Sequence, residues 1–311
     1  MSTDKKKEFA QLSKATKELY QALCANIRGQ DEAIHYFVQG IFKGQFIPDT
    51  ESQALNNVFL LSGPPGTGKS TLAYITAKTL NRNVIEINLD ANAAESSAED
   101  FVKTVSGNSE AGLISRFVED NPDGILLLKN IEKANPKVVS AISQVIENGS
   151  VVDATRNVEI SFANTIIIFT TNMGAELYLN EENGAVLPKS IVLETFVRIL
   201  AESEFPVLFF YEYFNNDHII FFKELSANHI VELIEQSFVE FVQEIHQEYG
   251  YELELDPDMT NLCLYNQCDI IDAKSAAASH NLSMRFSHHK DNACIATAHD
   301  ISYRTSIAVL T

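Results

Sequence analysis

Apolar residues along this chain recur with two different periods, and the alternation between them outlines a fold. Phe9, Leu12, Leu19 and Leu23 stand at near-helical spacing among charged neighbours, which predicts an amphipathic helix over residues 4–24. That helix would either dock on the core or lead in from a preceding domain. Ala33, Ile34, Phe37, Ile41 and Phe42 predict a second helix over 29–44, followed by a polar connection over 45–56. Short apolar runs near 58–62, 84–88, 125–128, 165–170 and 219–222 read as buried strands, with helices between them. Strands alternating with helices predict an α/β fold, a parallel sheet covered on both faces. Ligands of such a sheet bind at the carboxyl ends of its strands.

Other stretches read differently. Residues 91–109 are mostly small and polar and predict a loop with a short helix, and 149–161 predicts a hairpin insertion. Over 227–250, Ile230, Leu233, Ile234, Phe238, Phe241, Val242 and Ile245 share one helical face, a pattern that core packing explains. Beyond Arg285 the stripe ends. Ser306–Leu310 reads as a short strand, and the rest of 286–311 takes no assignment.

Charge narrows the choice of partners. The 311 residues carry 42 acidic against 23 basic side chains, a net −19. Nucleic-acid faces need clustered Lys and Arg, so nucleic acid and anionic membrane surfaces are disfavoured. No run approaches the roughly 20 apolar residues that span a bilayer. Met1–Lys7 has basic residues with no apolar stretch behind them, unlike a secretory signal. Cys24, Cys263, Cys268 and Cys294 read as reduced thiols of a cytoplasmic protein. A zinc site built from Cys263, Cys268, His288, His289 and Cys294 would match no usual spacing.

Chemistry enters at Gly63-Pro64-Pro65-Gly66-Thr67-Gly68-Lys69-Ser70, a complete G-x-x-x-x-G-K-[ST] phosphate loop. Asn57–Leu61 before it reads as a buried strand, and Thr71–Leu80 after it as a helix, so phosphates would sit at a helix N-terminus. Its glycines permit backbone conformations closed to other residues, and the loop N–H groups turn inward around phosphates. Lys69 would reach the β- and γ-phosphates, and the Ser70 hydroxyl would sit on Mg²⁺. The alternative is a turn without ligand.

Phosphate-loop ATPases place an Asp for the metal at the end of a second strand, often followed by a Glu that polarises water. Here the strand over 124–128 leads into Lys129-Asn130-Ile131-Glu132-Lys133. At about 4 Å and an effective dielectric near 20, a unit-charge interaction is on the order of 4 kcal/mol, so a cation there opposes metal binding. Asn130 accepts no proton from water, although it could orient one. Asp123 stands at the wrong end of the strand. Glu132 is a rescue candidate for the base but is expected at the start of the next helix. Lys129 itself could pair with a γ-phosphate, or simply be solvated.

From Arg28 to about Asn172, and more weakly to Arg285, the chain resembles Clp-type AAA+ ATPases, most of all the second ATPase ring of Clp disaggregases. The likeness is carried by Arg28-Gly29-Gln30-Asp31-Glu32-Ala33-Ile34, Ile131–Pro136, Ser143–Gly149 and Asn164–Gly174. It implies a phosphate-loop NTPase fold with a three-layer parallel sheet and a smaller, mainly helical lid. The expected divisions are an N-terminal helix or linker over 1–24, a nucleotide-binding domain over 25–222 and a lid over 223–311. Asn172 would be the sensor of the γ-phosphate or attacking water, Ile219–Phe222 the last core strand, and Arg285 the lid's phosphate contact. The family's Arg finger is missing, since 207–218 has no Arg or Lys and Asn215 or Tyr211 falls at its place. Its aromatic pore loop is replaced by Val105-Ser106-Gly107.

These readings lead to an expectation. The chain would bind ATP or ADP, with Mg²⁺ in question, and hydrolyse it slowly or not at all. It would serve as a regulatory or scaffolding subunit with protein partners, and a homo- or hetero-oligomeric ring is open to it. One alternative is an active unfoldase that uses Glu132. Another is an interaction module whose site takes no nucleotide.

Overall fold

A computed structural model of the chain describes residues 3–46, 55–90, 113–134, 136–153, 158–174, 194–199, 218–254, 283–288 and 293–297. These fall into two compact units, Met1–Glu224 and Leu225–Thr311.

The first unit opens with helices α1 (Thr3–Asn26) and α2 (Asp31–Phe46). The α1 stripe docks on the core: Leu19 and Leu23 are fully buried, and Phe9 sets its ring edge-on to Phe42 at 6.0 Å. Gln30, between the helices, is buried and closes both amide groups on the Lys223 backbone at 2.7 and 2.9 Å. That pairing satisfies a buried polar side chain and ties the helix junction to the far end of the unit.

The strands are β1 (Val58–Ser62), β2 (Val84–Asn88), β3 (Ile125–Lys129), the hairpin β4 (Ser150–Asp153) and β5 (Val158–Ser161), β6 (Ile166–Thr171) and β7 (Ile219–Phe221). Five of them form one parallel sheet in the order β2-β3-β6-β1-β7. Strands β1, β3 and β6 read as unbroken apolar runs because both sheet faces are covered. Alternate residues serve opposite faces: Ile125 and Leu127 pack with α1, α2 and α3 (Lys69–Leu80), while Leu126 and Leu128 pack with α4 (Leu113–Asp120) and α5 (Pro136–Asn148). Strands β4 and β5 pair antiparallel as the expected hairpin.

In the second unit, α6 (Ala227–Tyr249) begins at Ser226, whose hydroxyl accepts the His229 N–H at 3.3 Å. It ends at Gly250 in the left-handed region, with Ile234, Phe238 and Ile245 buried. A three-stranded antiparallel sheet joins it: β8 (Tyr251–Glu254), β9 (Ser283–His288) and β10 (Ala293–Thr297), with β9 central. Part of the stretch after Arg285 therefore forms strand, where the sequence pattern offered no assignment. The strand expected at Ser306–Leu310 lies outside the described residues. No helix among the described residues is long and apolar enough to cross a membrane.

Candidate nucleotide site

The loop after β1 is fixed from three sides. Ser62 Oγ donates to the Met173 carbonyl at 2.7 Å, Gly63 N–H reaches the Thr171 carbonyl at 3.3 Å, and Phe222 N–H reaches the Ser62 carbonyl at 2.7 Å. Gly63 has φ 145°, and a Cβ there would stand 2.2 Å from the Phe222 carbonyl oxygen, so only glycine fits. Gly68, at φ 101°, turns the loop into α3, and Leu72 N–H closes on its carbonyl at 2.9 Å. Thr67 Oγ1 donates to Pro64 O at 2.8 Å. This is a preformed turn that delivers backbone N–H groups at a helix N-terminus, and it fits a nucleotide's phosphates.

Lys69 is buried, and its ammonium donates to the carbonyls of Gly63 and Pro64 at 2.7 and 2.6 Å. Burial lowers its pKa from the ordinary lysine value to about 8, opposed by the negative charge of Glu132. Ser70 and Thr71 open the first turn of α3, Ser70 half-buried and Thr71 exposed.

The end of β3 is built differently. Lys129 shares the α3-facing side of the sheet with Ile125 and Leu127, and its Nζ lies 3.0 Å from Glu86 Oε1 on β2. The other Glu86 oxygen accepts from Tyr74 of α3 at 2.7 Å. Burial works against the Glu86 charge, but hydrogen bonds from Tyr74 and Lys129, with the Lys129 charge, hold its pKa below the usual carboxylate value. The Tyr74 hydroxyl is pushed up to about 12, chiefly because it donates to Glu86. Two further cross-links run alongside: Asn130 Nδ2 to Asn88 Oδ1 at 2.9 Å, and Lys133 Nζ to Asp90 Oδ2 at 3.3 Å. The strand end thus carries an internally matched set of charges. No group of three or more His, Cys, Asp or Glu that could hold a metal occurs among the described residues.

Glu132 lies where the sequence reading did not put it. Asn130 adopts the left-handed region (φ 59°, ψ 50°), which breaks the strand and begins a 3-10 turn over Ile131–Lys133. Helix α5 starts only at Pro136. The early turn brings the Glu132 carboxylate to the end of β6, where Oε1 accepts the Asn172 N–H at 3.3 Å. Oε2 is buried with no hydrogen-bond partner. The structure therefore brings Glu132 to the Asn172 backbone, next to Thr171, whose carbonyl holds the first residue of the loop.

Other candidates stand elsewhere. Arg285 belongs to the second unit, on β9 in register with Glu254 and Ile295. The finger segment over 207–217, the pore-loop position 105–107, and Cys263, Cys268 and His289 lie outside the described residues. Sequence reasoning missed Tyr74, Glu86, Asn88 and Asp90. The period-two pattern Glu86, Asn88, Asp90 between Ile85, Ile87 and Leu89 was the available signal.

Comparisons with known proteins agree with this architecture. A family model described as AAA domain (Cdc48 subfamily) matches residues 55–209. The chaperone protein ClpB of Lactococcus lactis subsp. cremoris is 29% identical over 250 residues, covering 78% of this chain and 28% of that protein. ClpB of Malacoplasma penetrans is 31% identical over 169 residues, covering 52% of this chain and 24% of its own length. Heat shock protein 100 of Trypanosoma brucei brucei is 29% identical over 165 residues, covering 50% and 18%. The chain spans between 18% and 28% of the length of these relatives.

Proposed function

This chain belongs to the Clp-type AAA+ ATPases, and we propose that within the family it binds ATP or ADP while hydrolysing it slowly or not at all. The observation that carries the reading is the Lys129–Glu86 ion pair at the end of β3, beside an intact phosphate loop. Among the described residues no Asp or Glu stands at 129 or 130, where a carboxylate would share a divalent cation with Ser70, so Mg²⁺ does not fit the strand end as it stands. Lys69, the loop N–H groups and the start of α3 would hold the phosphates, and Asn172 would lie beside the terminal one. Bound nucleotide would then stabilise the fold by mass action.

In this reading the chain works in the cytoplasm as a regulatory or scaffolding subunit in protein remodelling. Its partners are proteins, and it assembles with copies of itself or with active relatives. Calorimetric titration with nucleotide and steady-state phosphate release together test it. Tight binding with negligible turnover is expected, and brisk Mg²⁺-dependent turnover by the isolated chain would overturn it. An absence of binding would favour a pure interaction module.

One observation favours a second reading, an active unfoldase. Glu132 is a carboxylate bonded to the Asn172 N–H, and its charge acts on Lys69, so it could serve as the base. On that reading Glu132→Gln abolishes turnover and leaves binding intact.

A further inference from the structure

We propose that Glu132 makes this site favour a nucleoside diphosphate over the triphosphate when no divalent cation accompanies the ligand. The proposal deepens the reading above and rests on it, since it requires that the end of β3 supply no metal ligand. Three observations carry it. Lys129 is already matched by Glu86 at 3.0 Å, and Glu86 is held by Tyr74, so this cation is committed to β2. Lys69 is then the loop's own cation, buried among the carbonyls it binds. Glu132 spends one oxygen on the Asn172 N–H, while its other oxygen is buried without a hydrogen-bond partner.

The charge of this buried oxygen is answered electrostatically by Lys69 rather than by a hydrogen bond, and Lys69 is the same cation that bound phosphate would draw on. Glu132 also stands at the mouth of the loop: the Asn172 N–H it accepts follows Thr171, whose carbonyl accepts the Gly63 N–H at 3.3 Å. Two phosphates are answered by Lys69 and the loop N–H groups. A third adds negative charge beside Glu132, and among the described residues Lys129, the next cation along, is already held by Glu86. Glu132 thereby sets which nucleotide is held, without taking part in any bond-breaking step.

Isothermal titration of the full chain with ADP and with ATP, both in EDTA, tests this. The wild type is expected to bind ADP about tenfold more tightly than ATP, the size of one partly screened like-charge contact. Glu132→Gln keeps an oxygen for the Asn172 N–H and removes the charge. It should bring the affinity ratio close to one, mainly by tightening ATP. A merely structural role would move both nucleotides alike, so a ratio that stays at its wild-type value in Glu132→Gln overturns the proposal. So does a wild type that binds ATP at least as tightly as ADP, a result that needs no variant. Phosphate release measured in parallel with Mg²⁺ separates the two layers. Brisk turnover overturns the reading beneath, whereas negligible turnover with ATP favoured in EDTA overturns this proposal alone. Binding of neither nucleotide overturns both.

Discussion

The carboxyl ends of β1 and β3 lie on the same edge of one parallel sheet, separated only by β6. They have been treated differently. At β1, backbone does the work: Gly63 and Gly68 hold the chain in conformations that aim N–H groups at a ligand, and Lys69 is kept in place by the loop's own carbonyls. At β3, side chains decide: Lys129 and Asn130 are tied back to β2, and Lys133 to Asp90 just beyond it. Binding geometry written into a backbone survives sequence change as long as its glycines survive. Charge chemistry written into two side chains is lost with two substitutions. On the function proposed above, that asymmetry is what would let nucleotide binding outlast hydrolysis.

The sharpest way to break the comparison is to remove the β1 side. Lys69→Ala should weaken ADP binding on the order of a hundredfold, the scale of losing a charge-assisted contact to phosphate. Titration calorimetry would detect it, and a loss of less than a few-fold would mean that the loop does not carry binding. On the β3 side, Asn130→Val forces a β-branched residue into the left-handed region and should cost about 1–2 kcal/mol in chemical denaturation. Asn130→Gly should cost no more than about 1 kcal/mol, because glycine accepts that conformation freely and only the exposed hydrogen bond to Asn88 is lost.

Much of the site was legible in the sequence because the phosphate loop is contiguous and each fixed residue type answers a backbone demand. The absence of acid at 129 and 130 was equally plain. The partner of Lys129 was not, since Glu86 lies 43 residues away and meets it only through strand register. Glu132 was misplaced because a polar residue after a strand reads as a helix start, whereas Asn130 takes the left-handed turn that asparagine tolerates. The five-stranded parallel sheet followed from alternating apolar runs. Strands β9 and β10 did not, because β9 alternates over only Met284 and Phe286 and β10 shows no alternation.

Charge rearrangement offers a finer probe of the β3 end. Lys129→Asp sets two carboxylates facing each other and should cost about 1 kcal/mol of stability, since both groups are roughly one-third exposed and screened by water. Adding Glu86→Lys restores opposite charges, and the double variant should recover most of that loss in thermal denaturation. Additive losses would show that the pair contributes nothing.

The smallest effect concerns protons. With its pKa lowered to about 8, Lys69 in the free protein is about half protonated at pH 8. Phosphates favour the charged form, so nucleotide affinity should fall as pH rises through 8, with proton uptake visible as a buffer-dependent binding heat. Stability of the free protein runs the other way. The unfolded lysine holds its proton to higher pH, so the burial penalty is fully present below about pH 8 and is relieved as pH rises from there toward the ordinary lysine value. A pH-independent affinity between 7 and 9 would place Lys69 away from the phosphates.

The central claim is that a matched Lys–Glu pair at the end of β3 leaves this module able to hold nucleotide and unable to turn it over. Steady-state phosphate release by the purified chain with ATP and excess Mg²⁺, run beside Lys69→Ala, measures this directly. The expected rate is the same within error for both proteins, at background. A wild-type rate well above background that disappears in Lys69→Ala and in EDTA would contradict it.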